Sequence, residues 1–273
     1  MSYTDGLRVI DPNAKIGKNV TIGPFTVIEG DVIIGDDCWI GNNVTILNGA
    51  RIGNKCKIFP GAVVSAIPQD LKYAGENTTL ELGNEVIVRE CCTLNRGTSE
   101  AERTVIGDNC LLMAYVHVAH DCFIGKGCIL ANNVTLAGHI TIDNYARLGG
   151  MVAVHQFVRI GSQVMIGGGS LVRKDVPPYV MAAREPLSYT GINRVGLHRA
   201  KFTREETHHI EDIYRILFVR GLPVGKALSV IEEEIEASKF RDEITHFVRG
   251  AKRGLMKGFR SLNGAGRIAE PAL

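Results

Sequence analysis

The chain has 273 residues, 45% hydrophobic and 22% charged, which excludes a disordered or collagen-like polymer. Lys and Arg number 31 against 29 Asp and Glu, and the formal charge of +2 gives no reason to expect a nucleic-acid partner. No apolar run is long enough to span a membrane, and the opening MSYTDGLRVI lacks the basic and apolar regions of a signal peptide, so the expectation is a cytoplasmic enzyme.

From residue 10 onward an aliphatic residue recurs every six positions. Ile10, Ile16, Ile22, Ile28, Ile34, Ile40, Ile46, Ile52, Ile58 and Val64 begin the series; Leu82, Val88 and Leu94 resume it, and it runs again from Ile106 to Val172. All 25 positions hold Ile, Leu or Val, and Gly follows in 11 of them. A period of six fits neither an amphipathic helix nor an alternating strand. It fits short strands joined by tight turns, with Gly and Asn (as in Gly41-Asn42-Asn43) supplying positive φ at the corners. Three such units make a triangular coil of 18 residues, and stacked coils form a parallel β-helix, here expected over residues 1–180. Four residues after each aliphatic comes a small inward position. Cys38, Cys56, Cys92, Cys110, Cys122 and Cys128 occupy that slot and read as reduced core filling; only Cys91 does not.

Two stretches interrupt the series. Residues 65–81 place Asp70 and Glu76 where aliphatics are due, and residues 99–104 are polar throughout, so both read as loops thrown out from the coil.

Histidines concentrate between residues 117 and 156: His117 and His120 in HVAHDC, His139 in AGH, His155 in VHQ. His120, Gly138 and Gln156 are spaced by 18, so they stack on successive coils roughly 4.8 Å apart. Four of the eight histidines thus fall on one edge. Three chemistries compete for such a cluster. A zinc site of the kind found in β-helix carbonic anhydrases needs two histidines five apart and a third upstream; His117 and His120 are three apart and no histidine precedes them, so no metal is expected. A neutral imidazole is suited to take a proton from a hydroxyl, with Asp121 or another nearby carboxylate orienting it and the Gly138 N–H holding an oxyanion, which is the chemistry of acyl transfer. Inert surface histidines are the third reading.

The hexapeptides stop at Val176-Pro177-Pro178, where two prolines cannot continue a ladder. Residues 181–273 read as a C-terminal helical domain that caps the coil stack. Thr203-Arg204-Glu205-Glu206 is a capping box opening one helix, and two more are expected near 224–237 and 240–257. A mild excess of base in this cap is compatible with docking an acidic protein.

QDLKYAGE at 69–76, HVAHDC at 117–122, LANN at 130–133, LAGH at 136–139, AVHQF at 153–157 and DVPPY at 175–179 resemble the UDP-N-acetylglucosamine O-acyltransferases of lipid A biosynthesis, over residues 8 to 260. The resemblance implies a left-handed parallel β-helix, a homotrimer with sites between subunits, and transfer of an (R)-3-hydroxyacyl chain from acyl carrier protein to the sugar 3-hydroxyl. The donor carries phosphopantetheine and no further cofactor is implied. It makes His120 the general base, Asp121 its support and Gly138 the oxyanion donor. Asp70, Lys72, His117, His139, His155 and Gln156 are placed near the sugar, phosphates or acyl chain. Asn193 and Arg199 match positions tied to nucleotide or carrier binding, and Gly168 the position that gauges acyl length. Three departures stand out: Asn95 where many members have His, Ala182-Ala183-Arg184-Glu185-Pro186 in place of a stretch with Gly, and Ala200 where a second Arg is common. The first two leave open a 3-amino acceptor. A related UDP-glucosamine N-acyltransferase and a non-catalytic β-helix scaffold also stay open on the sequence.

Overall fold

A computed structural model describes residues 7–258. Each hexapeptide contributes one strand, mostly of two residues, and the strands fall in turn onto three parallel faces. Strands 18 residues apart pair in register, as in Ile33↔Arg51, Phe123↔Thr141 and Leu111↔Ile129. The aliphatic column is the core: Ile28, Ile40, Val64, Leu94, Leu112, Leu136 and Ile166 are all essentially inaccessible. Six cysteines line the same interior and only Cys91 is exposed, all of them as free thiols. Burial pushes the Cys92 thiol up to about 11 and that of Cys122 to about 12, so both remain neutral and unreactive near pH 7.

The corners correct one detail of the sequence reading. The left-handed residue is the third after the aliphatic, and it is seldom Gly: Asn43 (φ 53°), Lys55 (φ 56°), Tyr145 (φ 61°) and Met151 (φ 61°) all adopt it. The glycine immediately after the aliphatic serves close approach instead. A Cβ on Gly53 would lie 2.5 Å from the Gly83 carbonyl oxygen of the next coil.

Both excursions are shorter than expected. Val63–Ala66 and Thr79–Leu82 are strands, leaving the first loop at residues 67–78, and Arg103–Ile106 is a strand, which ends the second at Glu102. The paired partners Val63↔Thr93 and Thr93↔His117 are still in register, because each excursion adds whole hexapeptides.

Sheet structure also continues past residue 180. Val180–Ala183 pairs parallel with Met165–Ile166, and Ser188–Ile192 turns back antiparallel on it, which closes the open end of the stack. Among the described residues four helices follow: α1 (Arg194–Arg199), α2 (Arg204–Tyr214), α3 (Val224–Glu234) and α4 (Lys239–Arg249). Thr203 caps α2 in the expected box with Glu206, and a π turn at Arg215–Val219 extends it. Sequence reading missed α1 and carried α4 eight residues too far. Past Gly250 the chain returns to the coil, where Leu255 bridges Asp175 and Lys257 bridges Ser188. Residues 259–273 of the expected cap lie outside the described residues. Tyr214 is buried in the seam between cap and coil, donating to the Pro178 carbonyl at 2.6 Å.

Because every coil packs only on its neighbours, a void in one is not relieved elsewhere. Leu112→Ala should lower the unfolding free energy by about 2–5 kcal/mol; an unchanged urea midpoint would contradict this account of the core.

Candidate active site

The corner after strand His117–Val118 brings together His120, Asp121 and His139, the cluster of titratable groups found among the described residues. His120 Nδ1 lies 2.8 Å from Asp121 Oδ2, and the Asp121 side chain is wholly buried while that of His120 is 13% exposed. Burial alone would raise the Asp121 carboxyl. The Thr98 hydroxyl (2.6 Å to Oδ2), His120, the Thr98 N–H (2.9 Å to Oδ1) and the nearby His139 together outweigh it and hold the carboxyl below its usual range. Asp121 is therefore ionised and can only accept. That assigns the proton of His120 to Nδ1 and leaves the Nε2 lone pair free.

One coil on, Gly138 lies against the same ring. A Cβ there would stand 2.6 Å from His120 Cε1 and 2.7 Å from Nε2, so any side chain would displace the imidazole. On the neighbouring corner, exposed N–H groups are capped by side chains of the next coil, as Lys126 is by Asn144 Oδ1 (2.9 Å) and Asn84 by Asp108 Oδ1 (2.6 Å). The Gly138 N–H has no such partner among the described residues. A free imidazole nitrogen and a free backbone donor thus share one corner.

Asp121, His139 and Phe157 form the left-handed column of that corner, with φ of 58°, 61° and 65°. The His139 ring stands edge-on to His120 at 5.0 Å and stacks on Phe157 at 4.6 Å. His139 Nε2 is 3.4 Å from Glu100 Oε2 and 3.7 Å from Asp121 Oδ2. His120, Asp121 and His139 bring three potential ligand atoms within 4.8 Å of one another. Yet His120 Nδ1 and both Asp121 oxygens are engaged with each other and with Thr98, an arrangement suited to holding a proton in place.

The remaining expected residues are dispersed. His117 sits on its strand with Nδ1 2.8 Å from Thr93 Oγ1; burial pushes its ring below the ordinary value, the Thr93 contact opposing, so it is neutral at pH 7. Asp70 and Lys72 are together in the first loop, where Asp70 Oδ1 accepts the Lys72 N–H at 3.0 Å. Asn95 donates to the Ile67 carbonyl at the base of this loop, and the Arg96 guanidinium lies 5.8 Å from the Tyr73 ring. His155 and Gln156 are exposed one coil on from Gly138, beside Phe157 on the same corner, and His155 Nδ1 is 3.1 Å from Arg253 Nη2. Gly168 is exposed, its absent Cβ 3.0 Å from the Gly150 oxygen. Asn193 is buried as the N-cap of α1, accepting from Gly196 N at 3.1 Å and donating to Gln163 O at 2.8 Å, and Arg199 is exposed at that helix's end. Thr98, Glu100 and Arg253 were not foreseen. Phe157 was within reach, since it lies 36 residues after Asp121 on the same corner.

Comparison with known proteins places the chain in a family. A family model described as UDP N-acetylglucosamine O-acyltransferase, domain 2, matches residues 175–256, and a bacterial transferase hexapeptide model matches 31–66 and 103–138. An acyl-[acyl-carrier-protein]–UDP-N-acetylglucosamine O-acyltransferase of Chlorobaculum parvum is 46% identical over 264 residues, covering 96% of this chain and 100% of that one. One from Aliarcobacter butzleri is 42% identical, covering 90% and 95%. Among solved structures, a UDP-N-acetylglucosamine acyltransferase from Bacteroides fragilis is 48% identical with a TM-score of 0.91, covering 93% of this chain and all of the other. The coil is left-handed, the hand it shares with these relatives. With matches at this level covering coil and cap alike, the chain belongs to the family of acyl-[acyl-carrier-protein]–UDP-N-acetylglucosamine O-acyltransferases.

Proposed function

We propose that this protein transfers an (R)-3-hydroxyacyl chain from acyl carrier protein to the 3-hydroxyl of UDP-N-acetylglucosamine, the first step of lipid A biosynthesis. The observation that carries this reading is the oriented His120–Asp121 pair facing Gly138. His120 Nε2 takes the proton of the sugar hydroxyl as its oxygen attacks the thioester carbonyl, and a carbon–oxygen bond forms. The Gly138 N–H receives the resulting oxyanion. Collapse breaks the carbon–sulfur bond, and the phosphopantetheine thiolate recovers the proton from the His120 imidazolium. Ester and free thiol are the products, and the proton balance closes without a metal or redox cofactor. Asp121 stays ionised throughout and steadies the imidazolium.

Asp70 and Lys72 in the first loop serve the acceptor sugar, His139, His155 and Gln156 line the approach to the corner, and neutral His117 contributes a hydrogen bond without charge. The exposed guanidinium of Arg199 suits the phosphates of the donor or acceptor. Asn193 holds α1 in place to present it. Gly168 leaves space for a long acyl chain. The seven free thiols suit a reducing compartment, which supports the cytoplasm. No described helix is long and apolar enough to cross a membrane.

Large apolar side chains are exposed on two corners, Tyr115 at 60%, Met151 at 70% and Phe157 at 45%, which supports their cover by neighbouring copies in a homotrimer. Sedimentation should give three chain masses; a monomer at micromolar concentration contradicts the assembly.

Purified protein given acyl-carrier-protein thioesters and UDP-N-acetylglucosamine should yield a 3-O-acyl product by mass, and His120→Ala should cut turnover by about 10²–10⁴-fold. Near-wild-type turnover of that variant would remove the assignment, and acylation only of an amino-sugar acceptor would redirect it. Gly168→Met should shift the preferred donor to a shorter chain in the same assay, and an unchanged preference would show that the chain lies elsewhere.

A further inference from the structure

The polar excursion after Gly97 does more than decorate the coil. It leaves the coil one turn before the His120 corner, and Thr98, at its base, points both of its donors at the one carboxylate of the relay. The hydroxyl reaches Asp121 Oδ2 at 2.6 Å and the N–H reaches Oδ1 at 2.9 Å. Both Asp121 and Thr98 are buried, so neither bond is shared with solvent. The neck of the excursion is rigid. Thr78 donates to the Gly97 carbonyl at 2.6 Å, Gly97 N donates to Thr79 O at 3.1 Å, and Glu102 N donates back to Thr98 O at 2.7 Å. Gly97 also faces the returning strand so closely that a Cβ would lie 2.3 Å from Arg103 N.

We propose that Thr98 is a positioning residue of the acyl transfer, a third member of a Thr98–Asp121–His120 relay supplied by the excursion; this rests on the function proposed above. Asp121 Oδ2 is the oxygen that both Thr98 and His120 use, so the hydroxyl sets how much carboxylate charge is left for the imidazole. It also fixes the carboxylate plane through two points, which directs the Oδ2 lone pair at Nδ1 and turns Nε2 toward Gly138. The other charged or titratable groups that face this pair are His139, 3.7 Å from Oδ2, and Glu100, 3.4 Å from His139; the Cys122 thiol, the next residue, is buried. Glu100 is 68% exposed and screened by water, whereas the Thr98 bonds are not.

Thr98→Val removes the hydroxyl at nearly constant volume, and Thr98→Ser keeps it. With one donor gone, Asp121 puts more of its charge on His120, which favours the imidazolium. The base is lost as pH falls through its pKa, so a raised pKa moves the acid limb of the rate profile to higher pH. The expected result for Thr98→Val is a kcat lower by about tenfold or more, KM for both substrates within about twofold, and an acid limb displaced by about half a pH unit or more. Thr98→Ser should restore kcat to within about threefold of the original, in keeping with a retained charge-assisted bond. A Thr98→Val enzyme with unaltered kcat and pH profile overturns the proposal, as does a Thr98→Ser enzyme as impaired as the valine variant, which would reveal a packing role. Should the valine variant not fold, Thr98→Ala takes its place in the same comparison. His120→Ala assayed alongside separates the two readings. If that variant is inactive and Thr98→Val is normal, only the role of Thr98 falls; if His120→Ala is active, the acyl-transfer assignment falls with it.

Discussion

The structure depends on one constraint, the hydrogen-bonded register between parallel coils. Each strand donates to and accepts from strands one coil away, and the pairing leaves every inward position above an inward position. A slip of one residue would turn the aliphatic column outward, so the register is strongly specified. An insertion is tolerated only if it leaves this register intact, and both excursions obey: Val63↔Thr93 and Thr93↔His117 remain aligned although extra residues intervene. The same constraint creates the site. It places Gly138 on the His120 ring, and His139 and Phe157 in column with Asp121, to within a rung spacing that no flexible loop would hold.

Most of the fold was legible because it is periodic. The aliphatic positions, the six inward cysteines and the stacking of His120 with Gly138 follow from counting sixes and eighteens. Asn supplies positive φ at the corners as the sequence implies, at Asn43 and Asn133 for example, but the glycine that directly follows 11 of the aliphatics does not. Its requirement is a distance to the next coil, which exists only once coils are stacked, as at Gly53. The second helix opened where the Thr203–Glu206 box placed it, since that signal is local. Its end was blurred by the π turn, which keeps the apolar spacing without keeping the α period.

What sequence could not show is where aperiodic segments land. Thr98 stands at the base of an excursion, and counting sixes gives no sign that its donors turn to Asp121, yet it supplies both remaining hydrogen bonds of the Asp121 carboxylate. Arg253 is separated from His155 by nearly a hundred residues and reaches it because the chain returns past Asp175 after α4. Asp175 is the anchor of that return: it donates its N–H to Gly254 O, accepts Met256 N at its own carbonyl, and takes the Arg159 N–H at 2.8 Å with its side chain. Burial raises the Asp175 carboxyl, and the Arg159 and Arg253 N–H groups only partly offset this. The two buried aspartates thus show opposite outcomes of similar burial, decided by the number and strength of the donors each one meets.

That contrast bears on how the site behaves with pH. Asp121 has a folded value below its unfolded one, so its contribution to stability is present above the ordinary carboxylate range and is lost as pH falls through the lowered value. The bond that orients His120 is therefore kept until the carboxyl is protonated in strong acid. A support raised by burial, in the manner of Asp175, would neutralise at a higher pH and release Nδ1 sooner. The donors of Thr98 separate these two outcomes, which is why a residue with no chemistry of its own is buried against the one carboxylate that supports the base.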